Sequence, residues 1–225
     1  MLEDVLSLER ELFLAINNAH SPLLDNALWL YSGWLVWVPF IILFLFALIY
    51  KKPRRVWLPV LVSLLLLVAT CLVVSDVVLK PYFARLRPTY HPDFMNEVKY
   101  LFNYKGEGLY GFVSGHSTFS FAFAIFITLL FRYKPFSFII YAWAVVMVYS
   151  RVYLGVHFLT DILGGMVVGT LTGLGVFYLF SRIKEDYRSY YSNRRKLFIT
   201  IGLVCYVLLL VVFSEQIVAE KLSIS

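Results

Sequence analysis

Six apolar runs recur along this chain, at about 29–50, 56–79, 116–131, 136–153, 160–180 and 197–213. Each approaches the roughly 20 residues that a helix needs to cross a bilayer. In hydrocarbon every backbone donor and acceptor must be satisfied internally, so runs of this kind insert as helices. The pattern therefore predicts an all-α integral membrane protein with six transmembrane helices in one bundle. The third run is short and is expected to tilt, or to begin as soon as the Ser114-Gly115 turn ends. A hydrophobic content of 60% and a mean hydropathy of +0.77 exclude a soluble globular domain. A length of 225 residues leaves room for one polytopic domain, residues 1–225.

Lysine and arginine set the orientation. The connections 51–55, 132–134 and 182–196 hold twelve of the twenty basic residues, which makes them cytoplasmic by the positive-inside rule. The formal charge of +6 is thereby explained without a nucleic-acid partner. The connections 80–113 and 151–159 then face outward, as do both termini. No basic n-region precedes an apolar h-region, so the first span is expected to be its own insertion signal. Residues 1–28 form an amphipathic, charged stretch expected to lie as a helix in the interface. The outward segment 89–111 contains His91, Pro92, Gly106, Gly108 and several tyrosines, and is expected to be an ordered lid. Cys71 and Cys205 each sit inside an apolar run and indicate neither a disulfide nor a metal site.

Ionisable residues at membrane depth are costly and therefore mark function. Here they cluster in the outward connections: Lys80, Arg85 and Arg87, then Ser114-Gly115-His116, then Arg151, His157 and Asp161. A serine and a glycine ahead of a helical run present free backbone N–H groups at the positive end of a helix, a place that binds anions. A plain N-cap is the competing explanation for Ser114. Guanidinium groups match phosphate oxygens in a fork and lysine adds a compact charge, which suits Arg87, Arg151 and Lys80 to a phosphate. Orientation does not explain these cations, because outward placement opposes the positive-inside bias. Arg85, in the same segment, is consistent with simple snorkelling.

His157 and Asp161 stand four residues apart, on one face of a helix if the stretch is helical. A carboxylate there fixes the imidazole tautomer and stabilises its cation, as in a nucleophilic or general-base pair. Gly165, Gly169 and Gly173 continue the same stripe and suit close packing on another helix or a dimer face. Asp76, one turn before Lys80, either orients that lysine or neutralises it.

The order Lys80, six residues, Arg87-Pro88; Ser114-Gly115-His116; Arg151, five residues, His157, three residues, Asp161 resembles the three-part signature of the type 2 phosphatidic acid phosphatase superfamily. The resemblance covers about residues 76–173. It departs from the family at Val113, where proline is usual. It implies that Lys80, Arg87, Arg151, the Ser114 hydroxyl and the Gly115 N–H hold a phosphate. It further implies that His157 attacks phosphorus, that Asp161 orients it and that His116 protonates the leaving oxygen. Phosphoryl transfer depends on positioning and charge stabilisation, and fixed cations supply both, so no metal and no cofactor are expected.

The resemblance thus implies a membrane lipid phosphatase acting on a phosphate monoester or pyrophosphate. The expected sites of action are the bacterial inner membrane and its periplasmic or extracellular face. The compact size and short loops suit bacterial members, and among the substrates the resemblance implies, undecaprenyl pyrophosphate or lipid A phosphates are favoured. A lipid phosphotransferase with the same intermediate and a non-catalytic lipid-binding or transport protein are the alternatives, and a homodimer is compatible with the sequence. A soluble haloperoxidase does not suit a chain that is almost all span.

Overall fold

The computed structural model describes residues 2–183, 187 and 190–224, so Met1, Ser225 and part of the third basic connection lie outside the described residues. Helices α1 (Leu2–Asn17) and α2 (Pro22–Ser32) are separated at Ser21, whose side chain caps α2 ahead of a proline in its first turn. The amphipathic N-terminal stretch is therefore two helices, of which α1 packs against the later helices α7 (Lys134–Tyr153) and α8 (Leu159–Ile183). Asn17, fully buried at the end of α1, donates from Nδ2 to the carbonyls of Lys99 at 2.8 Å and Tyr153 at 2.9 Å. It also accepts from the Lys99 N–H at 2.9 Å.

The first expected span is broken. Gly33 adopts an extended conformation after α2, and the chain restarts in the 3-10 turn Leu35–Trp37 and α3 (Val38–Ile49), bent by 79° from α2. The second span is a continuous helix, Arg54–Phe83, made of α4 (Arg54–Leu72), a π-helical stretch Val73–Leu79 and α5 (Lys80–Phe83). It ends at Ala84 in the left-handed region. Helix α6 (Gly115–Phe131) follows the connection 84–114, and after α7 and α8 come α9 (Asn193–Val212) and a short α10 (Ser214–Ile224).

By length and hydropathy, four described helices suffice to cross a membrane: Arg54–Phe83, Lys134–Tyr153, Leu159–Ile183 and Asn193–Val212. The bent pair α2 and α3 makes a fifth if counted as one span, and α6, at 17 residues, is shorter. Helix α6 is central, packed by α4, α7 and α8, which shields its serines and threonines: Ser114, Ser117, Thr118 and Ser120 are all fully buried. Leu65, Val77, Phe138, Leu171 and Val212 remain exposed on the outside of the bundle, as side chains facing lipid do.

The glycine stripe of α8 determines how closely it meets α6. A Cβ on Gly165 would lie 2.7 Å from the Ser114 carbonyl oxygen, on Gly169 2.2 Å from that of Thr118, and on Gly173 2.6 Å from that of Ala122. Only hydrogen fits there. The stripe is occupied inside the chain, and the dimer face considered from sequence is not where it lies.

Candidate active site

The three motifs meet at the ends of α5, α6, α7 and α8. The π-helical stretch turns Asp76 and Lys80 towards the start of α6, so that Ser75 Oγ and the Asp76 carboxylate lie 3.5 to 3.7 Å from where a Gly115 Cβ would stand. Lys80 Nζ donates to Asp76 Oδ1. At the start of α6 the Ser114 hydroxyl accepts from the Ser117 N–H at 3.4 Å, while the Ser114 N–H donates to the Asp161 carbonyl at 3.1 Å. The cap explanation thus describes the Ser114 side chain, which is fully buried, and the backbone ties the second motif to the third.

Arg87 is threaded through its surroundings. Its Nε donates to the Gly108 carbonyl at 2.9 Å, Nη2 to Glu107 O at 2.8 Å and Nη1 to Val156 O at 3.0 Å. The segment 84–114 supplies the first two carbonyls because it folds back on itself: Arg87 N–H donates to Leu109 O and Gly111 N–H to Arg85 O. Gly106, at φ +89, lets the turn pass the Arg87 side chain, where a Cβ would come within 3.0 Å.

Arg87 Nη1 also lies 2.8 Å from His157 Nε2. A guanidinium only donates, so Nε2 is the accepting nitrogen and the proton resides on Nδ1. That Nδ1 faces Asp161 Oδ2 at 3.5 Å, close enough for charge coupling and longer than a hydrogen bond. Burial, followed by the charges of Arg87, Arg151 and Lys80, holds the His157 pKa well below its ordinary 6.5. The imidazole is thus neutral with a lone pair on Nε2, the form required of a nucleophile. Asp161 is fully buried; its Oδ2 accepts from the Phe158 N–H at 3.0 Å and its Oδ1 from Arg85 Nη1 at 2.9 Å.

Arg151, 2% exposed at the end of α7, donates from Nη2 to the Tyr104 hydroxyl at 2.9 Å, while its Nε and Nη1 have no hydrogen-bond partner among the described residues. Buried guanidinium N–H groups without acceptors are unusual and costly, and an anion satisfies them. His116 Nε2 meets the Ser32 carbonyl at 3.1 Å, which assigns its proton to Nε2.

A cavity of about 740 Å³ is lined by Lys80, Arg87, Gly115, His116, Arg151 and His157 at one end. Trp34, Trp37, Phe44, Leu64 and Leu67 are among the apolar residues lining the rest. Ser114 and Asp161 are not among its lining residues. With cations from the three motifs and apolar residues of α3 and α4 in its lining, it can accept an amphiphile with an anionic head. Among the described residues, no group of three or more His, Cys, Asp or Glu is placed to hold a metal ion.

Four contributors were not identified from sequence. Arg85 does not snorkel: it grips Asp161, pairs with Glu9 at 3.1 Å and lies 4.5 Å over the Phe158 ring. Its alternation with Arg87 along an extended segment was the available signal. Tyr104, Glu9 and Lys221, the last reaching the cavity from α10, carried none. Val113, at the position where the superfamily usually has proline, is buried, and a Cβ on Gly164 would lie 3.0 Å from its Cγ1.

The family model that matches this chain is the PAP2 superfamily, over residues 56–185. A Lipid A 4'-phosphatase of Porphyromonas gingivalis is 43% identical over 183 residues, 80% of this chain and 77% of that protein. Another Lipid A 4'-phosphatase, from Bacteroides thetaiotaomicron, is 30% identical over 189 residues, 84% of each chain. Among solved structures, the PAP2 type phosphatidylglycerolphosphate phosphatase of Bacillus subtilis matches with a TM-score of 0.59 at 26% identity, over 84% of this chain and 90% of that one. LpxE of Aquifex aeolicus matches with a TM-score of 0.54 at 27% identity, over 76% and 95%.

Proposed function

This chain belongs to the PAP2 superfamily and is a membrane lipid phosphatase, and on that premise we propose that it hydrolyses a phosphate monoester of lipid A through a phosphohistidine. The choice of substrate is supported by the two Lipid A 4'-phosphatases it resembles. Undecaprenyl pyrophosphate is the substrate it displaces.

In the reaction the phosphoryl group enters among Arg87, Arg151, Lys80 and the Gly115 N–H, and Ser114 holds that N-terminus in place through its cap. His157 Nε2 forms a bond to phosphorus as the bond to the lipid oxygen breaks, and His116, whose Nε2–H is held by the Ser32 carbonyl, enters as the imidazolium and gives that oxygen the proton of Nδ1. Asp161 orients His157 and balances the imidazolium. Water then attacks phosphorus, giving up a proton to His116 as the P–N bond breaks, and inorganic phosphate leaves. The fixed cations supply the charge stabilisation, so the reaction runs without a metal. The site works at the periplasmic face of the inner membrane, where outward cations oppose the bias that governs the rest of the chain.

The observation that carries this reading is the buried Arg151, whose Nε and Nη1 have no partner among the described residues, in one cavity with His157, whose Nε2 is the accepting nitrogen. The test is phosphate release from lipid A by the detergent-purified protein in excess EDTA, beside undecaprenyl pyrophosphate and His157→Ala. Release that survives EDTA, favours lipid A and vanishes in the variant is expected. Activity retained by His157→Ala removes it as nucleophile, loss in EDTA removes metal independence, and preference for the pyrophosphate reverses the substrate.

A further inference from the structure

The side of Asp161 turned away from the cavity is as elaborately built as the side that faces His157. Arg85 Nη1 donates to Asp161 Oδ1 at 2.9 Å and to the Thr160 hydroxyl, while Nη2 reaches Glu9 Oε2 at 3.1 Å. Glu9, on α1, accepts at Oε1 from the Thr160 N–H at 2.9 Å and from its hydroxyl at 2.7 Å. The Thr160 N–H belongs to the first turn of α8, so Glu9 also satisfies one of the orphan donors at that helix start. Its side chain is only 10% exposed. Neither Arg85 nor Glu9 lines the cavity.

We propose that Arg85 and Glu9 are positioning residues for the reaction, holding the Asp161 carboxylate in the plane that His157 requires, and that α1 is thereby part of the catalytic apparatus. The inference rests on the assignment of His157 and Asp161 as the nucleophilic pair. The geometry explains why two residues are used. Asp161 Oδ2 is held by the Phe158 N–H and faces His157, and a second restraint on Oδ1 is what fixes the carboxylate rotation. Arg85 provides it, and a planar guanidinium can be aimed only when its other edge is also anchored. Glu9 is that anchor. With Arg85 removed, Glu9 and Asp161 become neighbouring anions without a cation between them.

Because neither residue touches the phosphate, their loss should slow chemistry without weakening binding. The test measures kcat and KM on lipid A, and inhibition by inorganic phosphate, for detergent-purified wild type, Arg85→Ala, Arg85→Lys, Glu9→Gln and His157→Ala. Rates are expressed per monodisperse protein. Arg85→Ala is expected to lower kcat roughly tenfold or more, as a hydrogen bond between charged groups implies. KM and the phosphate inhibition constant should stay within about twofold. Arg85→Lys should recover part of kcat, and Glu9→Gln, which keeps an acceptor for Thr160, should cost about threefold. Wild-type kcat in Arg85→Ala, or a loss that follows KM and phosphate inhibition, overturns the proposal. Should Arg85→Ala not fold, unchanged kcat in both Arg85→Lys and Glu9→Gln overturns it equally. Activity in His157→Ala would instead show that the nucleophile is misassigned, whatever the Arg85 variants do.

Discussion

Replacing Gly169 by alanine tests whether the approach of α6 to α8 sets the geometry of the site. The added Cβ would lie 2.2 Å from the Thr118 carbonyl oxygen, 0.8 Å inside the 3.0 Å that Cβ contacts respect, with Thr118 C and Cα at 3.0 Å. All three atoms are backbone, so no rotamer relieves the clash and the helices must part by something near that distance. Thr118 lies three residues from Gly115 on α6, and Gly169 lies two turns from Asp161 on α8. The displacement therefore acts between the groups that surround phosphorus. A misplacement of about 1 Å costs on the order of 100-fold in rate. Overpacking costs about 1–3 kcal/mol, and the helix preference of alanine over glycine offsets about 1 kcal/mol of it. Gly175 is the control, since a Cβ there meets nothing within 4 Å. Gly175→Ala should keep full activity and gain up to about 1 kcal/mol. Thermal unfolding in detergent and phosphate release from lipid A measure both. Gly169→Ala matching Gly175→Ala in melting temperature and kcat would refute the reasoning.

Gly111→Ala acts on the pair itself, since its Cβ would stand 2.8 Å from Asp161 Oδ2; kcat should fall at least tenfold, as expected when a hydrogen bond of a charged group is disturbed, with steady-state kinetics as the check. His157 adds a pH dependence to stability. Its pKa in the fold lies well below 6.5, so below that value the unfolded chain takes up a proton that the native state refuses. Stability is complete above about pH 6.5 and falls as the pH drops beneath it. The melting temperature should therefore fall less between about pH 7.5 and about pH 5.5 in His157→Gln than in wild type, and equal losses would remove His157 as a source of acid sensitivity.

What was legible in the sequence was local. A spacing of four positions puts successive glycines of α8 on one helix face, and apolar length specifies a span. The same spacing misleads for His157, which stands in the turn before α8 begins at Leu159, so it meets Asp161 across the helix start and not along a shared helix face. The meeting of Lys80 with Gly115 was expected because the connections that carry them follow alternate spans and so gather at one end of a bundle. The bend at Gly33 was less legible: the run 29–50 carries no charged residue, and hydropathy does not distinguish a straight span from two helices meeting at 79°. The partnership of Glu9 with Thr160 spans 151 positions and that of Arg85 with Asp161 spans 76. An amphipathic period announces that α1 has an apolar face, and nothing in it names the helix that the face will cover. Arg85 shows the same limit from the other side. An arginine at a membrane end is compatible with snorkelling for as long as no carboxylate is known to stand beside it, and the carboxylate beside Arg85 arrives only when α8 folds back across α6. The stripe of glycines that permits that approach was readable. Its consequence, that Asp161 is carried within reach of a guanidinium from the first motif, required the packed bundle.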